Sequence, residues 1–241
     1  MLSKTRAIVL GSVKIKDNTL VLHLYTEEYG RCSYLLFGAQ SKRGGKKTAF
    51  IQPLSLVEIE AEHRVNRDLQ KIKEMKMDTP INDILFNPYK NAIAFFLSEV
   101  LYNVLKMSEK DEALFLFVHN SIRYLDTIKN GISNFHIAFL VKLSFFLGLW
   151  PDIDRLTHYP YFDLKQASFV QTKPFHSSYI ETGRSPILQY ITRINYRNMH
   201  LFRFSRNERN ELIEKMIEYY RLHTQSIGDL KSLAVLKEVF D

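Results

Sequence analysis

Apolar and polar side chains alternate along much of the first third of the chain. The alternation is regular over residues 20–25, and over residues 57–62 it separates an apolar face from an acidic one. A two-residue period is that of a β-strand with one buried face. Residues 7–14 and 32–37 are predicted as further strands, as is 69–77, whose period also fits a helix. Because four or five short antiparallel strands bury their faces poorly in an open sheet, we predict a closed, five-stranded, OB-like β-barrel.

After Pro80 the apolar period changes to three and four residues, which is the spacing of helices. Residues 93–105 carry a broad apolar stripe, and residues 135–149, apolar almost all round, predict a buried central helix. Ser108 is a candidate cap of the intervening helix, and Ser205 with Glu208 forms a capping box before a later one. We therefore predict an α+β protein, with a five-stranded barrel domain over residues 1–80 and an all-helical domain over 81–241.

An irregular insert of about residues 152–185 interrupts the predicted helical domain. It is rich in Tyr, Phe, Pro and Ser, and it is too long for a bare connection between two helices. We therefore expect a small ordered module packed by aromatic side chains. The candidates are Tyr159, Tyr161, Phe162, Phe169 and Phe175.

Basic residues are concentrated in particular stretches. The 241 residues include 33 Lys and Arg against 26 Asp and Glu, a formal net charge of +7. Residues 1–80 hold 14 basic and 9 acidic residues, whereas the remainder holds 19 and 17. Residues 29–57 and 182–207 contain no acidic residue and five basic residues each. One such cluster would suit a solvated face, but two make a polyanionic partner an equally good explanation.

Several classes of protein are disfavoured by the sequence. No apolar run reaches the length of a membrane span and the N-terminus does not resemble a signal peptide, so we expect a cytoplasmic protein that binds no membrane. The single cysteine, Cys32, cannot form an internal disulfide or a thiolate metal cage. The GGKKT segment at 44–48 lacks P-loop spacing, and Asp152 with Asp154 suits a solvated helix end better than a cation site. We predict no enzyme and no cofactor.

Nucleic-acid binding fits the barrel better. An OB barrel binds a single strand by stacking bases on exposed aromatic rings while basic loops neutralise phosphates. Tyr34 and Phe37 differ in strand parity, so at most one of them points into the barrel, and burial in the core is the alternative for each aromatic. The candidate DNA-binding residues of the barrel are Arg31, Tyr34, Lys42, Arg43, Lys46 and Lys47.

Three arginines are candidates for extending the DNA path into the second domain. Arg193 and Arg197 are four residues apart and would share a face if their segment is helical, and Arg203 follows in the same acid-free stretch. The alternative is ion pairing with the carboxylates that come next in the sequence. These are Glu208, Glu211, Glu214 and Glu218.

Several segments, in their order and spacing, resemble the RecO family of bacterial recombination mediators. They are YTEEYGR at 25–31, FGAQSK at 37–42, QPL at 52–54, FLGLWPD at 146–152 and the segment 223–236. The resemblance implies an OB-fold followed by a helical domain. It also implies binding of single- and double-stranded DNA, annealing of complementary strands, and loading of RecA, together with RecR, onto strands coated by single-stranded-DNA-binding protein. A location at the bacterial nucleoid would follow.

The sequence departs from the family's pattern at one place. Many members carry a four-cysteine zinc module directly after the segment that resembles FLGLWPD, but here no cysteine follows Cys32. His158 and His176 supply at most two of the four ligands that zinc requires, unless carboxylates help. We therefore expect the module to lack zinc, with an Asp/His metal site as the alternative.

The resemblance also implies contact with the acidic, Phe-ending tail of single-stranded-DNA-binding protein. Such a peptide needs an apolar pocket and a basic residue at its rim. The helical domain offers aromatic residues over 95–102 and 115–124, with Lys106, Arg123 and Lys142 as candidate partner-binding residues. Alternatively, these aromatics are core and the tail binds the basic barrel loop.

Two classes of function compete. The first is a non-enzymatic DNA-binding mediator, and the second is an OB-fold scaffold that binds protein or RNA. Net charge does not separate them, since a basic barrel suits either partner. The resemblance along nearly the whole chain favours the mediator.

Overall fold

The computed structural model describes residues 2–16, 18–38, 50–64, 67–106, 108–151, 159–183, 186–224 and 226–240. The chain forms two compact units. The first comprises Met1–Thr127 and Leu230–Val239, and the second comprises Ile128–Asp229 and Phe240–Asp241. The change of sequence pattern at residue 80 lies inside the first unit, so the domain boundary drawn there stays a prediction.

Five strands close the predicted barrel in the first unit. The strands are β1 (Leu2–Lys16), β2 (Thr19–Thr26), β3 (Gly30–Phe37), β4 (Leu56–Glu62) and β5 (Leu69–Thr79). Their order around the barrel is β1-β2-β3-β5-β4, with β3 and β5 parallel and the other pairs antiparallel. The OB-like barrel is therefore confirmed, including a strand over the segment whose period was ambiguous.

Alternation along the strands builds the barrel core. Leu22 and Leu24 of β2 and Ile59 of β4 are fully buried inside it. The acidic residues between the buried positions of β4 pair across to lysines on the neighbouring strands, Glu58 with Lys76 at 2.8 Å among them. One face of each strand thus lies in the core and the other meets water, as the two-residue period requires.

Three helices follow the barrel within the first unit, and a fourth returns to it from the end of the chain. They are α1 (Asp83–Phe86), α2 (Pro88–Val104), α3 (Glu112–Thr127) and α7 (Lys231–Val239). Asn87 caps α2 by accepting the N–H of Tyr89 at 3.0 Å. Asp111 caps α3 by accepting the N–H of Leu114 at 2.9 Å, so the prediction of Ser108 as the cap was wrong.

The turn between β2 and β3 lies against the loop between α2 and α3. Gly30 has a φ of +63°, and a Cβ there would come within 2.5 Å of the carbonyl oxygen of Glu109. The backbone N–H of Arg31 donates to the carbonyl of Ser108 at 3.1 Å. Tyr25 is fully buried next to Phe115 of α3, and burial raises the pKa of its phenol to about 12. The barrel and these helices therefore share one packed interior.

The second unit combines helices with a small sheet. Its helices are α4 (Phe135–Phe146), α5 (Ile187–Arg193) and α6 (Arg206–Thr224), with 3₁₀ turns at Ile132–Asn134 and Met199–Leu201. Most side chains of α4 are buried, which confirms the predicted central helix as far as Phe146. The capping box is also confirmed, since Glu208 accepts the N–H of Ser205 at 2.8 Å and the Ser205 hydroxyl accepts the N–H of Glu208 at 3.3 Å.

The described part of the insert is a three-stranded antiparallel sheet rather than an irregular loop. It contains β6 (Tyr161–Asp163), β7 (Ser168–Val170) and β8 (Tyr179–Glu181), in the order β7-β6-β8. Phe162 is buried and its ring lies 4.9 Å from that of Phe169, as an aromatic-packed module requires. Phe175 is fully exposed, so its prediction as a packing residue was wrong.

Candidate nucleic-acid interface

A cleft of about 430 Å³ lies on the first unit where the barrel meets the loop after α2. Its walls come from the β2–β3 turn and the start of β3, from the connection between β4 and β5, and from the end of the α2 region. In OB-folds, the β1–β2 and β4–β5 loops border the face that binds oligonucleotides. The lining residues are Tyr29, Arg31, Cys32, Ser33, His63, Arg67, Asp68, Gln70 and Lys106.

Two stacked rings form the aromatic part of the cleft. The rings of Tyr29 and His63 are nearly parallel, at an angle of 12°, with centroids 3.8 Å apart. Burial lowers the pKa of His63, which keeps its imidazole neutral at physiological pH. A flat, neutral, half-buried pair of rings is a surface on which a nucleobase stacks without regard to its identity.

Arg31 is held in the cleft by its own contacts. Its guanidinium lies 4.3 Å from the ring centroid of Tyr102 of α2, and its Nη1 is 3.4 Å from the carbonyl oxygen of Lys106. Its Nε is buried and has no hydrogen-bond partner among the described residues. A guanidinium that is fixed by stacking at the edge of a cleft is well suited to a phosphate oxygen.

The exposed charges of the cleft favour an anion. Arg31, Arg67 and Lys106 contribute three positive charges against the single negative charge of Asp68. Neither Arg67 nor Lys106 makes an ion pair with another residue in the described part of the chain. Lys106, predicted from the sequence as a partner-binding residue, therefore lies on the same cleft as the predicted DNA-binding Arg31.

The thiol beside this cleft is not activated. Burial raises the pKa of Cys32, and its Sγ lies 3.9 Å from the Nε2 of His63. A protonated thiol is a poor nucleophile and a poor metal ligand. Across the ranges the structure describes, no group of three or more His, Cys, Asp or Glu residues is placed to hold a metal ion.

Of the two barrel aromatics with opposite strand parity, Phe37 is exposed and Tyr34 is buried. Tyr34 is fully buried in the barrel core, so it is removed from the candidate DNA-binding residues. Phe37, at the end of β3, is 52% exposed beside the β1–β2 hairpin, where Gly38 donates to the carbonyl of Asn18 at 2.8 Å. The predicted loop residues Lys42, Arg43, Lys46 and Lys47 lie outside the described residues.

The three arginines of the second unit are exposed, but they do not form one helical face. Helix α5 ends at Arg193 and Arg197 lies in the turn after it, so the shared face that their spacing suggested is absent. Neither these two nor Arg203 makes an ion pair with a residue that the structure describes. Glu208 is engaged by Ser205, and Glu218 pairs with Lys215 at 2.8 Å.

The other predicted partner-binding residues do not line the cleft. Arg123 is exposed on α3. Lys142 is exposed on α4 of the second unit, with its ammonium 5.3 Å from the ring centroid of Phe145.

A separate apolar groove of about 1000 Å³ runs along the first unit between β1, α2 and α7. Phe95 and Val235, both about half-exposed, lie on its walls, and Lys231 lines it at the start of α7. Glu99 of α2 accepts the backbone N–H groups of Lys231 at 3.1 Å and Ser232 at 2.9 Å, which fixes the start of α7. The groove therefore combines apolar walls with one cation, Lys231, and one carboxylate, Glu99.

Comparison with known proteins decides the family. The family model described as "Recombination protein O N terminal" matches residues 1–80, and the model described as "Recombination protein O C terminal" matches residues 85–234. The chain belongs to the RecO family. Proteins named DNA repair protein RecO from Bacteroides fragilis and Phocaeicola vulgatus are 43% and 40% identical to it over the full length of both chains. The RecO of Flavobacterium psychrophilum is 34% identical over 98% of each chain.

His63 and Arg67 are the cleft residues that pattern reasoning missed. Both lie in the β4–β5 connection, which is short, basic and lies between two strands. The position of this connection in an OB-fold was the available signal. No helix in the described ranges has the combination of length and apolarity needed to cross a bilayer.

Proposed function

We propose that this RecO-family protein is a non-enzymatic DNA-binding mediator of recombination and repair that binds single- and double-stranded DNA. The observation that carries the proposal is the cleft on the barrel, where a stacked Tyr29–His63 pair adjoins three cations. Bases stack on the rings while phosphates approach Arg31, Arg67 and Lys106. The curated relatives named DNA repair protein RecO support the same function.

The basic loop adds phosphate contacts to this path. Lys42, Arg43, Lys46 and Lys47 follow Phe37 in the sequence, and Phe37 is an exposed ring at the end of β3. Backbone neutralisation of this kind binds duplex as well as single strands, because phosphates are common to both. Arg193, Arg197 and Arg203 are proposed as a second set of phosphate contacts.

Strand annealing and loading follow from binding of this kind. Two complementary strands repel each other, and a basic protein that holds both by their phosphates lowers that repulsion while their pairing edges stay accessible. We propose that the protein anneals complementary strands and, with RecR, helps RecA onto single strands coated by single-stranded-DNA-binding protein. Because DNA is its proposed partner, we also propose that the protein works at the bacterial nucleoid in the cytoplasm.

Fluorescence anisotropy with labelled single- and double-stranded oligonucleotides tests the proposal. Each phosphate-contacting cation that is removed should lower the slope of log affinity against log salt by up to about one unit. The variant with Lys42, Arg43, Lys46 and Lys47 all changed to alanine should therefore bind more weakly and with a smaller slope. Parental affinity with an unchanged slope in that variant would exclude the loop from the DNA path.

The groove between β1, α2 and α7 supports the proposed contact with the acidic, Phe-ending tail of single-stranded-DNA-binding protein. Its apolar walls suit an aromatic side chain, and Lys231 suits a carboxylate. Calorimetry with the intact protein is the appropriate assay, because helices α2, α3 and α7 pack in one unit with the barrel. We expect micromolar affinity that falls as salt rises, and Phe95→Ala should weaken it.

The same groove favours the second candidate, an OB-fold scaffold that binds protein or RNA. The two candidates differ in one measurable way. A mediator binds DNA with a steep salt dependence even without a protein partner, whereas a protein-binding scaffold binds its partner through the groove and has no measurable affinity for DNA.

A further inference from the structure

We infer that the three-stranded sheet of the second unit is a second platform on which single-stranded nucleic acid stacks, with Phe175 and Tyr179 as its base-contacting rings. The inference rests on the proposed DNA-binding function and assigns it a site separate from the barrel cleft. The two sites have no residue in common, so each can be tested by its own substitutions.

The two faces of the sheet differ in what they contact. Phe162 and Ile180 pair across β6 and β8 and are buried, facing a cavity that is also lined by Leu188 and Met216 of the helices. The opposite face carries Tyr161 and Tyr179, both half-buried, with ring centroids 5.7 Å apart at 81°. A small sheet with one face in the core and aromatic rings on the other is the arrangement with which sheet-based modules stack single-stranded bases.

The loop that carries Phe175 is anchored to β6 through the residue that follows this ring. The carboxylate of Asp163 is buried, accepts the N–H groups of Lys165 and Gln166 in the β6–β7 turn at 2.8 and 3.1 Å, and lies 3.2 Å from the Nε2 of His176 in the β7–β8 loop. The residue before Phe175 is a proline, which restricts the backbone further. The loop is thus held in place next to Phe175, whose ring is fully exposed in the described part of the chain.

The sheet is also tied to the rest of its unit. His223 of α6 lies 2.7 Å, through its Nε2, from the carbonyl oxygen of Leu164. The Thr182 hydroxyl donates to the carbonyl of Tyr159 at 2.8 Å, which closes the base of the module. A stacking ring on an anchored loop loses little conformational entropy when it binds, so its contact energy is retained in the affinity.

The exposed charges of the platform are few, and this defines its ligand. Lys173 lies over the ring of Tyr179 at 5.4 Å, Lys165 is exposed in the β6–β7 turn, and Glu181 opposes them. With the buried carboxylate of Asp163 included, these charges cancel, so the platform lacks the cation density that duplex backbone binding requires. It therefore fits unpaired bases, whose rings a duplex would hide, better than double-stranded DNA.

Two substitutions at Phe175 test the inference in the full-length protein. Phe175→Ala should weaken binding of an oligothymidylate of about 30 nucleotides by about five-fold or more, with an unchanged salt slope because no charge is lost. Duplex affinity should not change. Phe175→Trp should add tryptophan emission that is quenched when the oligothymidylate binds. The single natural tryptophan, Trp150, is present in both proteins and supplies the background.

Phe86 supplies the matched control, because it is 85% exposed on α1 of the first unit. Phe86→Ala should leave affinity unchanged, and Phe86→Trp should show no quenching. The inference is overturned if Phe175→Ala binds the oligothymidylate as the parent does, which would leave the ring to a protein partner. It is also overturned if the single-strand and duplex affinities fall together. Loss of DNA binding in the parent protein itself would instead refute the proposed function.

Discussion

Replacing Arg31 by methionine separates a phosphate contact from a structural one. The guanidinium of Arg31 lies 4.3 Å from the ring centroid of Tyr102, and its Nε lacks a partner among the described residues. Methionine keeps an unbranched apolar stem against the ring but removes the charge and the donors. The stacking of a partly exposed cation on an aromatic ring contributes about 0.5–1 kcal/mol, so the variant should remain folded.

The expected effect on DNA binding follows from counterion release. Loss of one phosphate contact lowers the slope of log affinity against log salt by about 0.7 for a single strand. When salt rises four-fold, from about 50 to about 200 mM, the ratio of the parental affinity to the variant's affinity should therefore shrink by about 2.6-fold. If the substitution only destabilised the protein, the molecules that stay folded would bind DNA with the parental slope of log affinity against log salt.

Anisotropy titrations of one labelled single strand at several salt concentrations measure this slope. Lys76→Met is the matched control, because it removes one exposed cation that pairs with Glu58 on the side of the barrel formed by β4 and β5. The control should keep the parental slope although its net charge equals that of the Arg31 variant. Equal slopes for the parent and Arg31→Met, with both proteins folded, would show that Arg31 does not contact a phosphate.

The other predictions concern stability and metal content. In denaturant unfolding, Gly30→Ala should lower the free energy of unfolding by at least about 2 kcal/mol, because its Cβ would clash with backbone atoms. Gly148→Ala, with a φ of +67° but open space around the new Cβ, should cost only about 1–2 kcal/mol. Lys90 is fully buried, with its ammonium 2.6 Å from the half-exposed carboxylate of Asp83 and 2.8 Å from the carbonyl oxygen of Asp126, so Asp83→Ala should cost about 1–2 kcal/mol in the same assay and Lys90→Met less. Burial lowers the pKa of His136 from 6.5 to about 3, so only the unfolded chain gains this proton as the pH falls below about 6.5. Stability should therefore drop by about 2 kcal/mol between pH 7 and pH 5, and His136→Leu should remove that part of the pH dependence. Metal analysis of protein purified without chelators should show well under one equivalent of zinc, and a stoichiometric signal would contradict this expectation.

Local periodicity was enough to predict the strands of the barrel. Alternation along β2 and β4 reflects burial of one strand face, and that burial depends on each strand's own residues. The parallel pairing of β3 with β5, which closes the barrel, has no local signal. Closure itself followed from the argument that short strands bury their faces poorly in an open sheet, but the strands were expected to be antiparallel, and for this pair that expectation was wrong.

The errors arose where local patterns competed. Asp111 and Ser108 are both good caps, and the choice depended on where the packed interior under Phe115 begins. The spacing of Arg193 and Arg197 fits a helix, but α5 ends between them. Sequence spacing alone does not locate such an end.

The candidate site was only partly predictable for a related reason. Arg31 was identified from its acid-free surroundings, but the cleft also needs His63, Arg67 and Lys106, which are distant in sequence. Parity stated that Tyr34 and Phe37 face opposite ways, yet it did not state which one faces the core. In the structure, Tyr34 packs among the core residues of the closed barrel.

The proposed DNA binding is best tested by the affinity of the purified protein for single-stranded DNA, measured by anisotropy at about 50 and about 200 mM salt. We expect clear binding at the lower salt and, with about six phosphates contacted by the cleft and loop, a loss of several hundred-fold at the higher salt. Tyr29→Ala should bind more weakly at both concentrations, because a stacking ring is lost but no charge. Absence of binding at the lower salt, or an affinity that salt does not change, would contradict the account.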